Sequence, residues 1–314
     1  MITITRYNPD MASRWDSFVG VSRTPLLIHL RPYMDYHADR FADHSLLAFR
    51  GSRLIAILPA CEQGSVLASH PGLTYGGWIT PRRHIDAAIM MRIFEASLNY
   101  MRACGFSSLR YCPAPWIYSL YPADDDRYAL FRFGARITGV LASTALPLDR
   151  PPLLSLSTSQ AISRARRSGV SITESSDLAA FHAILTDTLM SRHGVAPVHT
   201  LSELSLLHSR FPDRIRLLMA CDSLCRPIAG SVIYLSPNVA HTQYMAATEA
   251  GRALGALPLL VSAAPAVLGL PRSGFLDFGS SCENGGSYLN EGLTMQKNGL
   301  GGRTVAYSSY TIDL

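Results

Sequence analysis

FLDFGSSCENGGSYLNEGLTMQKNGLGGRTVAYSSYTIDL, residues 275–314, closes the chain. Its apolar start predicts a short strand, Phe275 to Phe278, that stops at Gly279. The polar, glycine-rich segment 280–287 predicts a loop, 288–297 a short helix, and 304–312 a final strand set off by Gly301-Gly302. A strand that opens through a Gly/Ser/Asn loop into a helix brings backbone N–H groups and a helix N-terminus to one place. Such places suit anionic groups, and α/β proteins put ligand chemistry there. Lys297 ends the predicted helix, followed at once by Asn298-Gly299.

Working outward, the segments before this stretch follow a definite order. Residues 215–222, 228–235 and 239–248 predict three consecutive strands, with 257–268 a helix interrupted by Pro258 and Pro265. Leu178, Phe181, Leu185 and Leu189 recur on one face of a helix over 177–192, and Thr200 with Glu203 forms a capping box opening another. Arg164, Arg166 and Arg167 lie on a short helix over 159–168. The second half therefore runs strand, helix, helix, three-strand meander, helix, strand, helix, strand. The first half is a looser version of the same order, with an amphipathic helix over 86–104 built on Ala87, Met90, Met91, Phe94, Leu98 and Met101. Pro147, Pro151 and Pro152 punctuate the middle. The expected architecture is α/β (α+β): two related domains, 1–150 and 151–314. Each would be a mixed, mostly antiparallel sheet flanked by helices, with the C-terminal strand free to pack back on the first domain.

Composition sets the bounds. At 314 residues, with 48% hydrophobic and 16% charged residues, the chain is a well-packed globular protein of two-domain size. No apolar run reaches the roughly 18 residues of a membrane span, and the N-terminus lacks a signal-peptide pattern. The six cysteines are scattered without a disulfide framework and read as reduced thiols, so a cytoplasmic location is expected. Cys221 and Cys225 have no second pair, which argues against zinc. A net charge of +5 is compatible with a nucleotide or tRNA substrate and equally with an ordinary arginine-rich protein. No Ser-His-Asp spacing, Walker motif or dinucleotide fingerprint is present, which counts against hydrolase, kinase and dehydrogenase functions.

The order of elements resembles the GNAT acyltransferase fold, and its duplication resembles the tandem arrangement of Fem-type aminoacyl transferases and FemAB-like relatives. SQAISRARRSGV (159–170), SRHGVAPVHTLSEL (191–204), FLDFGSS (275–281) and LNEGLTMQKNGLGG (289–302) carry the second-domain resemblance; HLRPYMDYH (29–37) and SHPGLTYGGW (69–78) carry that of the first. The resemblance implies an acyltransferase that uses acyl-CoA or aminoacyl-tRNA as co-substrate, holds no tightly bound cofactor or metal, and takes a small-molecule amine acceptor. Lys297 would support the charge of the acyl-transfer intermediate, or merely favour the helix dipole. Tyr288 stands where such enzymes keep a tyrosine that protonates the leaving group.

The remaining candidates follow from position. Asp277, at the strand mouth, would orient Lys297 or the amine, or cap the following loop; Ser280 would contact the substrate, and one of His193 and His199, which flank a loop over the cleft, would serve as general base. The resemblance places Gln243 and Tyr244 on the strand that in GNAT enzymes splays to admit the acyl group, so they would line the pocket. Arg252, Gly255 and Ala256 occupy the phosphate-loop position, with Leu257 where the GNAT pattern has a small residue; Arg164 and Arg167 would add phosphate contacts. In the first domain Arg31, Tyr33, Asp35 and His37, with His70 and Tyr75, would form either an acceptor pocket or a packed polar network. Two readings of function stay beside acyl-CoA-dependent N-acyl transfer: an aminoacyl-tRNA-dependent transferase, and a non-catalytic double domain that binds a ligand or partner.

Overall fold

The computed structural model describes residues 1–314, apart from the side chain of His193. Two compact units result: Met1–Leu141 with Ala306–Leu314, and Ala142–Val305.

The first unit begins with β1 (Ile2–Arg6), α1 (Ala12–Gly20) and the four-residue α2 (Arg31–Met34). β2 (Leu46–Arg50) and β3 (Arg53–Leu58) form a hairpin, and β1 adds to it antiparallel. β4 (Cys61–Gln63) and β5 (Val66–Ala68) follow, then α3 (Ala87–Ala103), β6 (Ser108–Tyr111) and α4 (Asp125–Arg132). Asp86 caps α3, its side chain accepting from the Ile89 N–H. The helix buries Met90, Ile93, Phe94, Leu98 and Met101 against Leu46, Leu58, Leu109 and Tyr111, so the three- and four-residue spacing became the core face.

β7 (Arg136–Pro147) leads into the second unit. There the order is α5 (Leu156–Arg167), β8 (Ser171–Ser175), α6 (Leu178–His193), α7 (Leu201–Arg210), β9 (Ile215–Cys221), β10 (Pro227–Leu235) and β11 (Val239–Ala247). Then come α8 (Glu249–Leu254), α9 (Ala256–Val267), β12 (Phe275–Ser280), β13 (Cys282–Glu283), β14 (Tyr288–Leu289), α10 (Glu291–Gly299) and the start of β15 (Arg303–Asp313); from Ala306 on β15 belongs to the first unit, within which Tyr310–Asp313 pair with β6. β8, β9, β10 and β11 are antiparallel in sequence order, β11 and β12 are parallel, and β12 is antiparallel to β7. This is the mixed, mostly antiparallel sheet expected. Leu276, Phe278, Ala240 and Leu218 pack from one face of it against Ile162 of α5 and Leu260, Val261 and Ala264 of α9. The capping box at α7 forms as read, with the Thr200 hydroxyl accepting from Glu203 N–H and the Glu203 carboxylate accepting from Thr200 N–H.

Two details differ from expectation. Residues 288–297 are not one helix: Tyr288–Leu289 pairs as a strand with Cys282–Glu283, and α10 begins only at Glu291. Asn290 decides this start, because its side-chain oxygen accepts from the Leu293 N–H as an N-cap. And β12 does not stop at Gly279 but continues to Ser280, with Gly279 at φ +70° absorbing a register shift against β7. Among the described residues no helix is long and apolar enough to cross a membrane.

Candidate active site

The site grows out of two irregular strands. β11 and β12 pair over three rungs only: Val239 with Phe275, Ala240 with Leu276, and His241 with Asp277. Immediately after the third rung β11 bulges, since Thr242 stands opposite Ile233 while Tyr244 stands opposite Val232, leaving Gln243 as the extra residue. β12 shifts against β7 between Asp277 and Ser280. Bulges bend their strands, and here the two parallel neighbours part company directly beyond His241 and Asp277.

Asp277 is fully buried. Its Oδ1 accepts from Ser143 Oγ at 3.2 Å and from the Gly279 N–H at 3.0 Å, and its Oδ2 lies 2.8 Å from His241 Nδ1. An ionised carboxylate can only accept, so Nδ1 carries the hydrogen and Nε2 has a lone pair. His241 Nε2 meets no partner among the described residues, and the imidazole is partly open to solvent, its side chain 15% exposed. A Cβ at position 279 would sit 3.3 Å from His241 Cε1, so glycine leaves the ring its room as well as supplying the positive φ.

Lys297 arrives from α10. It is only 4% exposed, and Nζ donates to the carbonyls of Gly279 and Ser280 at 2.9 and 2.7 Å. Those are the last two residues of β12, beyond the parting of the strands. Burial pushes the ammonium's pKa down to about 8, against the pull of Asp277. An ammonium has three N–H donors, and the third has no acceptor among the described residues. Nearby, Ser281 Oγ is buried without a hydrogen-bond partner and Cys282 Sγ accepts from the Ala142 N–H. An imidazole held by a buried carboxylate takes up a proton, and a dehydrated cation with a spare donor steadies a developing oxyanion.

No protein-family model matches the sequence, and no curated protein is similar to it in sequence. Solved structures are similar in fold. FemX aligns over 99% of this chain and 97% of its own with a TM-score of 0.70 at 10% identity. A tandem GNAT protein from the clavulanic acid biosynthesis pathway aligns over 100% and 98%, with a TM-score of 0.54 at 12% identity. The chain has the tandem GNAT fold. L-PGS from Bacillus licheniformis is similar too, over 96% of this chain and 91% of its own, with a TM-score of 0.60 at 11% identity.

Within this tandem GNAT fold, Lys297 bonds to the Ser280 carbonyl and lies near enough to Asp277 to feel its charge. Gln243 is the bulge residue two positions past the last rung, and Tyr244 turns to His199, its Oη 2.5 Å from Nδ1. Tyr288 lies on β14, 54% exposed, and is not drawn into the hydrogen bonds around Asp277. His193 ends α6, its side chain outside the described residues.

The phosphate-loop candidates take another part. Gly255, at φ +82°, is the left-handed joint between α8 and α9, and a Cβ there would lie 2.6 Å from the Ala161 carbonyl of α5. Gly255 and Ala256 are buried. Arg252 Nη1 donates to Ala247 O at 2.5 Å and Arg164 Nε to Ala253 O at 2.9 Å, so both arginines serve carbonyls around α8. Within the 252–257 segment expected to bind pyrophosphate, the side of Gly255 that a Cβ would occupy faces the Ala161 carbonyl of α5, while Arg252 and Ala253 are exposed. Arg167 remains exposed at the end of α5.

In the first unit the acceptor-pocket candidates Arg31, Tyr33, His37, His70 and Tyr75 are buried. Arg31 is 5% exposed, bonded to Asp35 and Asp43 and stacked 3.9 Å from the Tyr7 ring centroid. Its charge, taken out of water, is answered by these neighbours. His37 and His70 are buried with ring centroids 5.5 Å apart, and burial pushes His70 down to about 4. Tyr33 stands edge-on to Tyr36, and Tyr75 packs on Tyr118 and Tyr307.

His241 and Ser143 were not singled out by the sequence reading. Their link to Asp277 depends on which strands become neighbours, and no local pattern records that. The one available signal was His241 lying two residues before Gln243 on a strand already expected to splay.

Proposed function

We propose that the chain is an N-acyltransferase that moves an acyl group from an activated carrier to an amine. The observation that carries this is the last rung of the β11–β12 ladder, where Asp277 holds His241 with Nε2 free while buried Lys297 donates to the carbonyls at the end of β12. The amine nitrogen attacks the acyl carbon at the parting, and its proton passes to His241 Nε2. The electron pair pushed onto the carbonyl oxygen meets the remaining N–H of Lys297. When the intermediate collapses, the bond from carbon to the carrier's sulfur or oxygen breaks and His241 returns the proton to that leaving atom. Gln243, Tyr244 and Ser280 are the proposed substrate contacts around the carbon, and the similarity in fold to FemX and to a tandem GNAT protein supports the reaction class.

Aminoacyl-tRNA is favoured over acyl-CoA as carrier by a specific feature. Arg166 and Arg167 are exposed on α5 with no acid partner among the described residues, while Gly255 and Ala256 of the 252–257 segment are buried. Purified protein incubated with an amine pool and either charged tRNA or acyl-CoA tests both. Release of uncharged tRNA or free thiol that depends on His241 and Lys297 is the expected result. Consumption of neither carrier, with ligand binding retained, would leave a non-catalytic binding domain as the correct function.

A further inference from the structure

The second unit holds a groove that the proposed chemistry does not use. It has a volume of about 500 Å³ and runs between α5, α9 and the segment after β7, walled by Leu146, Leu154, Ile162, Val261, Leu270 and Leu300. Ligand sites usually measure roughly 300–1,000 Å³ and combine an apolar wall with a few polar groups fixing one end. Here the charged groups are cationic: Arg150 and Arg272 line the groove, and no carboxylate does. Arg150 shares its charge with exposed Asp149 next to it, an exposed pair worth little. Arg272 is exposed and has no acid partner among the described residues. Leu153, adjoining the wall, is 72% exposed, an apolar side chain left in water at the edge of an apolar groove. Pro258, Val261 and Leu300 also line a second groove of about 400 Å³, together with Met245 and Met295, so the two spaces share part of an apolar wall.

An unbranched apolar chain matches the walls, and an anion matches the arginines. We infer that this groove binds a single-chain amphiphile with an anionic head, a carboxylate or a phosphate, its chain along α9 and its head at Arg272 and Arg150. A protein segment is a poorer occupant, because the wall offers few hydrogen-bonding groups for a peptide backbone. The inference does not rest on acyl transfer.

Isothermal titration of the whole protein with dodecyl phosphate, kept below its micelle-forming concentration, tests it. Saturable one-site binding is expected, at least tenfold tighter than for dodecanol and absent for inorganic phosphate. Arg272→Glu combined with Arg150→Glu should weaken binding at least tenfold. Ser262→Trp should abolish it, since Ser262 lines the groove and is exposed there. Should that variant misfold by circular dichroism, Ala266→Phe fills the same space. Undiminished binding by a folded filling variant, or indifference to the double charge reversal, overturns the inference. A parallel arm with anionic phospholipid vesicles separates the sources: binding to vesicles without binding to monomeric dodecyl phosphate would also overturn it.

Discussion

His241 and Asp277 stand side by side on the last rung of a parallel ladder, with Nδ1 and Oδ2 2.8 Å apart. One residue further the strands separate, so the imidazole is oriented by a fully buried carboxylate yet keeps a face open. Position and pairing act together here. Asp277→Asn keeps size and burial but puts an amide where Nδ1–H is now held, and Ser143 can still donate to the amide oxygen. General-base assistance contributes about 10²–10⁴-fold to rate, and kcat for acyl transfer should fall within that range. An unchanged thermal midpoint would assign the loss to chemistry. Unchanged kcat would remove the dyad from the reaction.

Lys297 titrates at about 8 because it is dehydrated. The cation is present below that pH and lost above it, so activity that needs it should decline as pH rises through about 8. Lys297→Met should lose roughly 10²–10³-fold in kcat, the usual cost of removing an oxyanion donor, and its residual rate should lack that decline. Stability runs the other way. Between about 8 and the ordinary 10.5 the unfolded chain binds the proton that the native state has released, so stability rises with pH across that window, by roughly 3 kcal/mol. Denaturant midpoints from pH 7 to pH 10 should show the rise in the parent and its absence in Lys297→Met.

Asp126 is buried beneath Tyr111, whose hydroxyl donates to it at 2.8 Å while accepting from Trp78 N–H. Burial raises the carboxyl to about 6 from an ordinary 3.8. The native state then holds a proton that the unfolded chain gives up, so stability falls as pH climbs from about 4 to about 6, by roughly 3 kcal/mol. Asp126→Asn retains an acceptor for Tyr111 and has nothing to ionise. Its midpoint should be flat across that window and equal to or above the parent's at pH 7.

Gly255 joins two helices at φ +82° against the Ala161 carbonyl. Gly255→Ala adds a Cβ where the backbone conformation disfavours it and where 2.6 Å is all the space available. A loss of about 2 kcal/mol or more is expected in urea unfolding, combining backbone strain and overpacking. A neutral substitution would mean that this joint is open enough to receive a phosphate after all.

Much of the fold was written in local sequence. Thr200 with Glu203, Asp86 before an apolar three-four rhythm, and the three strands of the meander each specify their own element, because caps and periodicity are satisfied within a few residues. The order of these elements then suffices for the architecture. Within the site, Lys297 and Asp277 were legible as polar residues placed in otherwise apolar or glycine-rich surroundings. Tertiary structure alone decided what they meet. That His241 lies beside Asp277, that Ser143 reaches the same carboxylate across 134 residues, and that α5 fills the space at Gly255 all depend on long-range pairing. The same cause set the neighbours of the buried tyrosine, histidine and arginine cluster of the first unit. A charge leaving water must be answered by whatever neighbours packing provides, and the sequence names the charge without naming the neighbours.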